Sequence, residues 1–119
     1  QIFRELKQVF WTRIENRHCG GIPDLYGVYS GFSFWLECKT IIKQNRINIS
    51  PLQISWNYKN FQENPNNFYI VQAPRRKIIK LYDGNKGREL LENGFEYPCT
   101  LEFKPSQYSL LLDFLTAKK

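Results

Sequence analysis

The dipeptide Ser30-Gly31, set between two runs of strand-forming residues, constrains this chain more than any other feature. It is a tight-turn signal, and a hairpin closed on it sets residues near 24 opposite residues near 37. In the second run, Phe32 to Thr40, alternate residues share a face. Trp35, Glu37 and Lys39 therefore point one way, and Phe34, Leu36 and Cys38 the other. Asp24 starts the first run, at the level of Glu37. Charged side chains are rarely buried without a partner, so a hairpin this rich in aromatics with Asp24, Glu37 and Lys39 on it calls for a solvated sheet edge or a site.

The rest of the chain predicts a single domain spanning 1–119, because 119 residues with 42% hydrophobic content bury one core but not two. The apolar spacing of Ile2, Phe3, Leu6, Val9 and Phe10 predicts an amphipathic helix over 1–10. Strands are expected over 11–16, 24–29 and 32–40, the three forming a meander. A polar, basic connection over 41–49 leads to Ser50-Pro51-Leu52-Gln53. That sequence combines an N-cap serine, proline at the first helical position and glutamine at the third, so a helix should run to about Phe61. Strands over 68–72 and 77–82 follow, joined by the basic turn 73–76. A short helix over 86–93, a strand over 98–103 and a closing helix from Pro105 to about Ala117 complete the reading. The fold class is α/β, a mixed sheet flanked by helices. No apolar run reaches the roughly 20 residues that cross a bilayer, and no secretory leader opens the chain. The three cysteines lack CxxC spacing, so reduced thiols, a soluble protein and a cytoplasmic location are expected.

Asp24, Glu37 and Lys39 together suggest metal chemistry. Two carboxylates at close range repel, and both ionise only if a cation joins them. Mg²⁺ takes oxygen ligands and keeps several waters, so Asp24, Glu37 and the backbone carbonyl of Cys38 would leave room for a phosphate oxygen. The Cys38 thiol faces away. Such a metal would polarise a phosphodiester, and Lys39 would orient a water or stabilise the charged transition state. The net charge of +6 suits a polyanionic partner. Lys43, Arg46, Arg75, Arg76 and Lys77 are candidates for contacts to a DNA backbone.

Gly21-Ile22-Pro23-Asp24, twelve further residues, then Glu37-Cys38-Lys39 resembles the signature of the PD-(D/E)xK nuclease superfamily. The order helix, three-stranded meander, helix, strand is similar to that family's restriction-endonuclease-like core. Arg13-Ile14-Glu15-Asn16, Ser50-Pro51-Leu52-Gln53 and Trp56 add a likeness to its small stand-alone members of the VRR-NUC and Holliday-junction-resolvase type, often found in phages. The likeness covers about residues 3–82 and leaves 83–119 as a C-terminal cap. It implies a Mg²⁺-dependent endodeoxyribonuclease, with Mn²⁺ as a substitute, whose metal ligands fall on Asp24 and Glu37 and whose catalytic lysine is Lys39. It also implies a further acidic ligand, for which Glu5 and Glu15 compete, and a catalytic glutamine at Gln53, which the capping box explains equally well. Branched DNA such as a Holliday junction is the substrate it suggests, and resolving a four-way junction would need a homodimer. Other readings remain: a non-catalytic nucleic-acid-binding domain on the same fold, a structural or interaction protein of a virus whose charge serves solubility alone, and a surface hairpin whose Glu37 and Lys39 form only a solvated pair.

Overall fold

Strand pairing builds the molecule outward from the hairpin. The computed structural model describes residues 2–14 and 21–117. Helix α1 (Ile2–Glu5) precedes strands β1 (Phe10–Arg13), β2 (Leu25–Tyr29) and β3 (Phe32–Thr40). Ser30 and Gly31 both take left-handed backbone angles, φ 51° and 83°, which is the geometry of a two-residue turn matched to strand twist. Tyr29 then pairs with Phe32 and Leu25 with Leu36. Helix α2 (Pro51–Glu63) carries the chain across to β4 (Asn67–Ala73), which lies parallel to β3. Strand β5 (Ile78–Asp83), helix α3 (Gly87–Asn93), strand β6 (Leu101–Phe103) and helix α4 (Tyr108–Leu115) follow. The six strands lie in sequence order, and every pair except β3–β4 is antiparallel.

Alternation along the strands divides the core into two layers. Leu25, Phe34, Leu36, Phe68 and Ile70 face α1 and α4, where they pack with Ile2, Leu6, Leu111 and Leu115. Tyr69, Val71 and Tyr82 face the other way, against Leu90 of α3 and Phe95. The chain is thus a mixed α/β sheet covered by helices on both faces, as its sequence pattern predicts. Among the described residues, no helix is long and apolar enough to cross a membrane.

Helix α2 has an unusual inner side. Its start follows the sequence signal: the Gln53 amide donates to Ser50 Oγ at 3.1 Å, and Ser50 N–H donates to Gln53 Oε1 at 3.1 Å. Its fully buried residue is polar, however: Asn57 donates to the Gln53 carbonyl at 2.7 Å. Asn57 Oδ1, Asn60 Nδ2 and both side-chain polar atoms of Asn67 are buried with no protein partner among the described residues. Amide groups therefore lie where an amphipathic helix ordinarily places leucine.

Three expectations are corrected. The first helix is only one turn, Ile2–Glu5, and Phe10 opens β1 with 73% of its surface exposed instead of closing an apolar stripe. Leu6 and Val9 remain buried, but from a turn, because Val9-Phe10-Trp11-Thr12 is β-branched and aromatic and pairs with β2 from Phe10 onward. The connection 41–49 is not wholly solvated: Ile47 and Ile49 plug the layer under α3. Finally, the last helix starts as a 3₁₀ turn over Pro105–Gln107 and becomes α-helical at Tyr108.

Candidate functional site

The site forms where two paired strands part. Strand β2 begins at Leu25, whereas β3 continues past its partner Leu36 to Thr40, so residues 37–40 extend beyond β2. Asp24 stands at that fork. Its carbonyl accepts from Ile14 N–H at 2.7 Å, and its Oδ2 accepts from Cys38 N–H at 3.1 Å. Trp35 and Ile41 turn their N–H groups toward the β4 side, bonding the Asn66 and Gln72 carbonyls at 2.8 and 3.1 Å. Alternation then aims the N–H and carbonyl of Cys38 at the open edge, beside Asp24. The exposed Cys38 side chain lies on the α1/α4 side, away from Glu37.

Glu37 and Lys39 lie on the opposite face, beneath the start of α2. Gln53 joins them: its Nε2 donates to Glu37 Oε2 at 3.1 Å, and its Oε1 accepts from Lys39 Nζ at 2.8 Å. Lys39 Nζ is also 3.6 Å from Glu37 Oε2, with only 16% and 2% of the two side chains exposed. Both ends of the Gln53 amide are thus occupied, and the capping box holds the side chain in that pose. Glu37 Oε1, equally buried, has no hydrogen-bond partner among the described residues. Burial, and then the negative charge of Asp24, push the Glu37 carboxyl up to about 7 against the opposing pull of Lys39.

This geometry tests whether a cation fits. Asp24 supplies a half-buried carboxylate, Glu37 a buried oxygen without a partner, and Cys38 a carbonyl at the open edge. All are hard oxygen donors, the set that Mg²⁺ or Mn²⁺ takes. No group of three His, Cys, Asp or Glu side chains converges among the described residues, so a cation here would complete its shell with carbonyl and water oxygens. Glu5 is exposed on α1 and does not join Asp24 and Glu37. Glu15 lies outside the described residues.

The basic candidates gather at the same end of the sheet as the site. Lys43 and Arg46 lie in the turn that follows β3, and Arg75, Arg76 and Lys77 in the turn that follows the parallel strand β4. All five are exposed, but Arg76 is engaged. Its Nη1 donates to Asn45 Oδ1 at 3.1 Å and to Glu96 Oε1 at 3.0 Å, and its guanidinium lies 5.2 Å above the Phe95 ring. Arg76 therefore ties the two basic turns together. Sequence reasoning missed Asn57 and Tyr69, both of which bond the Gln53 carbonyl. A buried asparagine four residues after Gln53 was the available signal for the first, and Tyr69 paired beside Glu37 in the parallel register for the second. No protein-family model matches the chain, and no curated protein matches it in sequence.

Proposed function

We propose that this protein is a divalent-metal-dependent endodeoxyribonuclease of the PD-(D/E)xK type, acting on branched DNA. The observation that carries the reading is the forked strand edge: a buried Glu37 oxygen without a partner, Asp24 against it, and Lys39 fixed by Gln53. The succession of one helix, a three-strand meander, a crossover helix and a parallel strand is similar to the restriction-endonuclease-like order, which supports the same reading.

Each residue then has a task set by its surroundings. Asp24 and Glu37 would hold a Mg²⁺ or Mn²⁺ ion, any proton on Glu37 leaving to solvent, and the ion would supply charge to polarise the phosphodiester and acidify a water. The Cys38 carbonyl adds a neutral oxygen at the same edge. Lys39 holds a positive charge beside the reacting phosphate, where charge accumulates in the transition state. Gln53 holds the ammonium and the Glu37 carboxylate side by side by bonding both, which is a positioning role. The basic turns at that end of the sheet hold the DNA backbone without reading sequence. Cleaving a four-way junction symmetrically requires two such sites, and hence a homodimer.

Incubation with branched, linear and single-stranded DNA, with and without Mg²⁺ or Mn²⁺, tests the proposal. Cleavage should require the metal and disappear in Asp24→Asn and Glu37→Gln, with the circular dichroism of the fold retained. DNA binding without cleavage under every metal condition would overturn the nuclease reading and leave a non-catalytic DNA-binding domain.

A further inference from the structure

A groove of about 460 Å³ opens on the α1/α4 side of the sheet, directly beside the fork. Asp24 and Cys38 line it. Phe3 of α1, Arg13 of β1, and Ile70 and Gln72 of β4 line it as well. Arg13 is exposed, with its guanidinium 5.5 Å over the Phe3 ring, and makes no ion pair among the described residues. It is thereby steadied by an aromatic face while its N–H donors stay available. The half-buried Gln72 amide makes no side-chain hydrogen bond to a described residue and can both donate and accept.

Size decides what can enter. A volume of about 460 Å³ lies within the roughly 300–1,000 Å³ range of small-ligand sites. A DNA duplex, whose major groove alone is about 12 Å wide, cannot be admitted. One nucleotide can. Its base has an apolar face suited to Phe3 and Ile70, a hydrogen-bonding edge suited to Gln72, and a phosphate suited to Arg13.

We propose that this groove takes one unpaired nucleotide of the strand being cut, with its base between Phe3 and Ile70 and its phosphate on Arg13. The inference rests on the nuclease reading of the fork and deepens it: the substrate is DNA unpaired at the nucleotide next to the scissile phosphate. An intact duplex would have to unstack and unpair a base first, at a free-energy cost that slows it.

The test is binding in EDTA, where no cleavage occurs, of a flush duplex and of the same duplex carrying an unpaired arm with 5-iodouracil at its first unpaired position. Wild-type protein should prefer the armed duplex by about tenfold, the scale of one stacked base. Ultraviolet crosslinking should map the iodouracil to Phe3 or its neighbours. Arg13→Gln and Gln72→Leu should each cut the preference below about threefold by weakening the armed duplex more than the flush one. Equal binding of the two DNAs by wild type, a preference retained in both variants, or a crosslink confined to the α2 side would overturn the proposal. Mg²⁺-dependent cleavage of the same DNAs separates the two layers. Preference and crosslink without cleavage sink the nuclease reading alone, whereas flush duplex cut as fast as armed duplex sinks the groove alone.

Discussion

Glu37 is a carboxyl placed where its charge is costly unless something positive arrives. Its ordinary value is 4.5 and its folded value about 7, raised by burial and then by Asp24. Below pH 4.5 the group is neutral in both the folded and the unfolded chain and costs nothing. Between the two values the folded chain binds the proton that the unfolded chain has released, so stability falls as pH rises through this window and levels off above it. In EDTA, chemical denaturation of wild type should therefore lose stability from pH 5 to pH 8 relative to Glu37→Gln. A parallel pH profile in the two proteins would refute the assignment. Lys39 tests the other half of the site. Lys39→Ala should lower the single-turnover cleavage rate by about 100-fold or more and change DNA affinity by less than about tenfold, because it removes a transition-state charge and little ground-state binding. Lys39→Arg should rescue poorly, since the ammonium is enclosed by Gln53 Oε1 at 2.8 Å and a planar guanidinium is larger. These positions were legible in the sequence because strand alternation and a two-residue turn leave little freedom: once Ser30-Gly31 closes the hairpin, Asp24 must stand level with Glu37. The partnerless Glu37 oxygen was not legible, because it depends on how α2 lies over the strand.

Helices are set by shorter-range rules, and α2 obeys them at its start and departs from them along its length. The Ser50 hydroxyl bonds the Gln53 amide, so Ser50→Ala should cost about 1 kcal/mol in a urea or guanidinium titration, and Ser50→Gly only a few tenths. Ser50 N–H, which bonds Gln53 Oε1, survives in both variants, so cleavage should fall less than in Gln53→Ala. The capping box was readable because all its partners lie within four residues. The first helix was misjudged because an apolar spacing of three and four also suits a turn followed by a strand, and β1 forms by pairing with β2 from Phe10 to Arg13. The buried Ile47 and Ile49 were hidden for a similar reason. Their neighbours Lys43, Gln44, Asn45 and Arg46 are polar, and the contacts that fold the segment over the sheet are tertiary, among them a 2.8 Å bond from the Phe95 amide to the Asn45 carbonyl and the Arg76 bond to Asn45 Oδ1.

At the scale of the whole molecule, the two turns that follow β3 and β4 bring five basic residues to one end of the sheet. Neutralising Lys43, Arg46, Arg75 and Lys77 together should weaken binding to all DNA sequences alike and reduce the salt slope by up to about four, roughly one for each phosphate that no longer meets a cation. Arg76→Ala should act differently, lowering thermal stability, because Arg76 links Asn45 and Glu96. An unchanged salt slope in the four-site variant would place the DNA elsewhere. The parallel β3–β4 pair was predictable from a helix interposed between two strands. The groove beside Asp24 was not, because residues as distant as Phe3 and Gln72 build it and no local pattern unites them. The amides beneath α2 have a consequence for temperature. Attraction between apolar surfaces weakens on cooling, whereas burial of polar amide groups carries a heat-capacity change of the opposite sign. The leucine-lined seam under α4 and the asparagine-lined seam under α2 should therefore part company in the cold. Amide hydrogen exchange between 35 and 5 °C, a range of about 30 degrees, should show α4 losing protection relative to α2. A chain with one oily and one amide-lined seam loosens first on the α4 side when chilled, leaving the helix that steadies Lys39 in place.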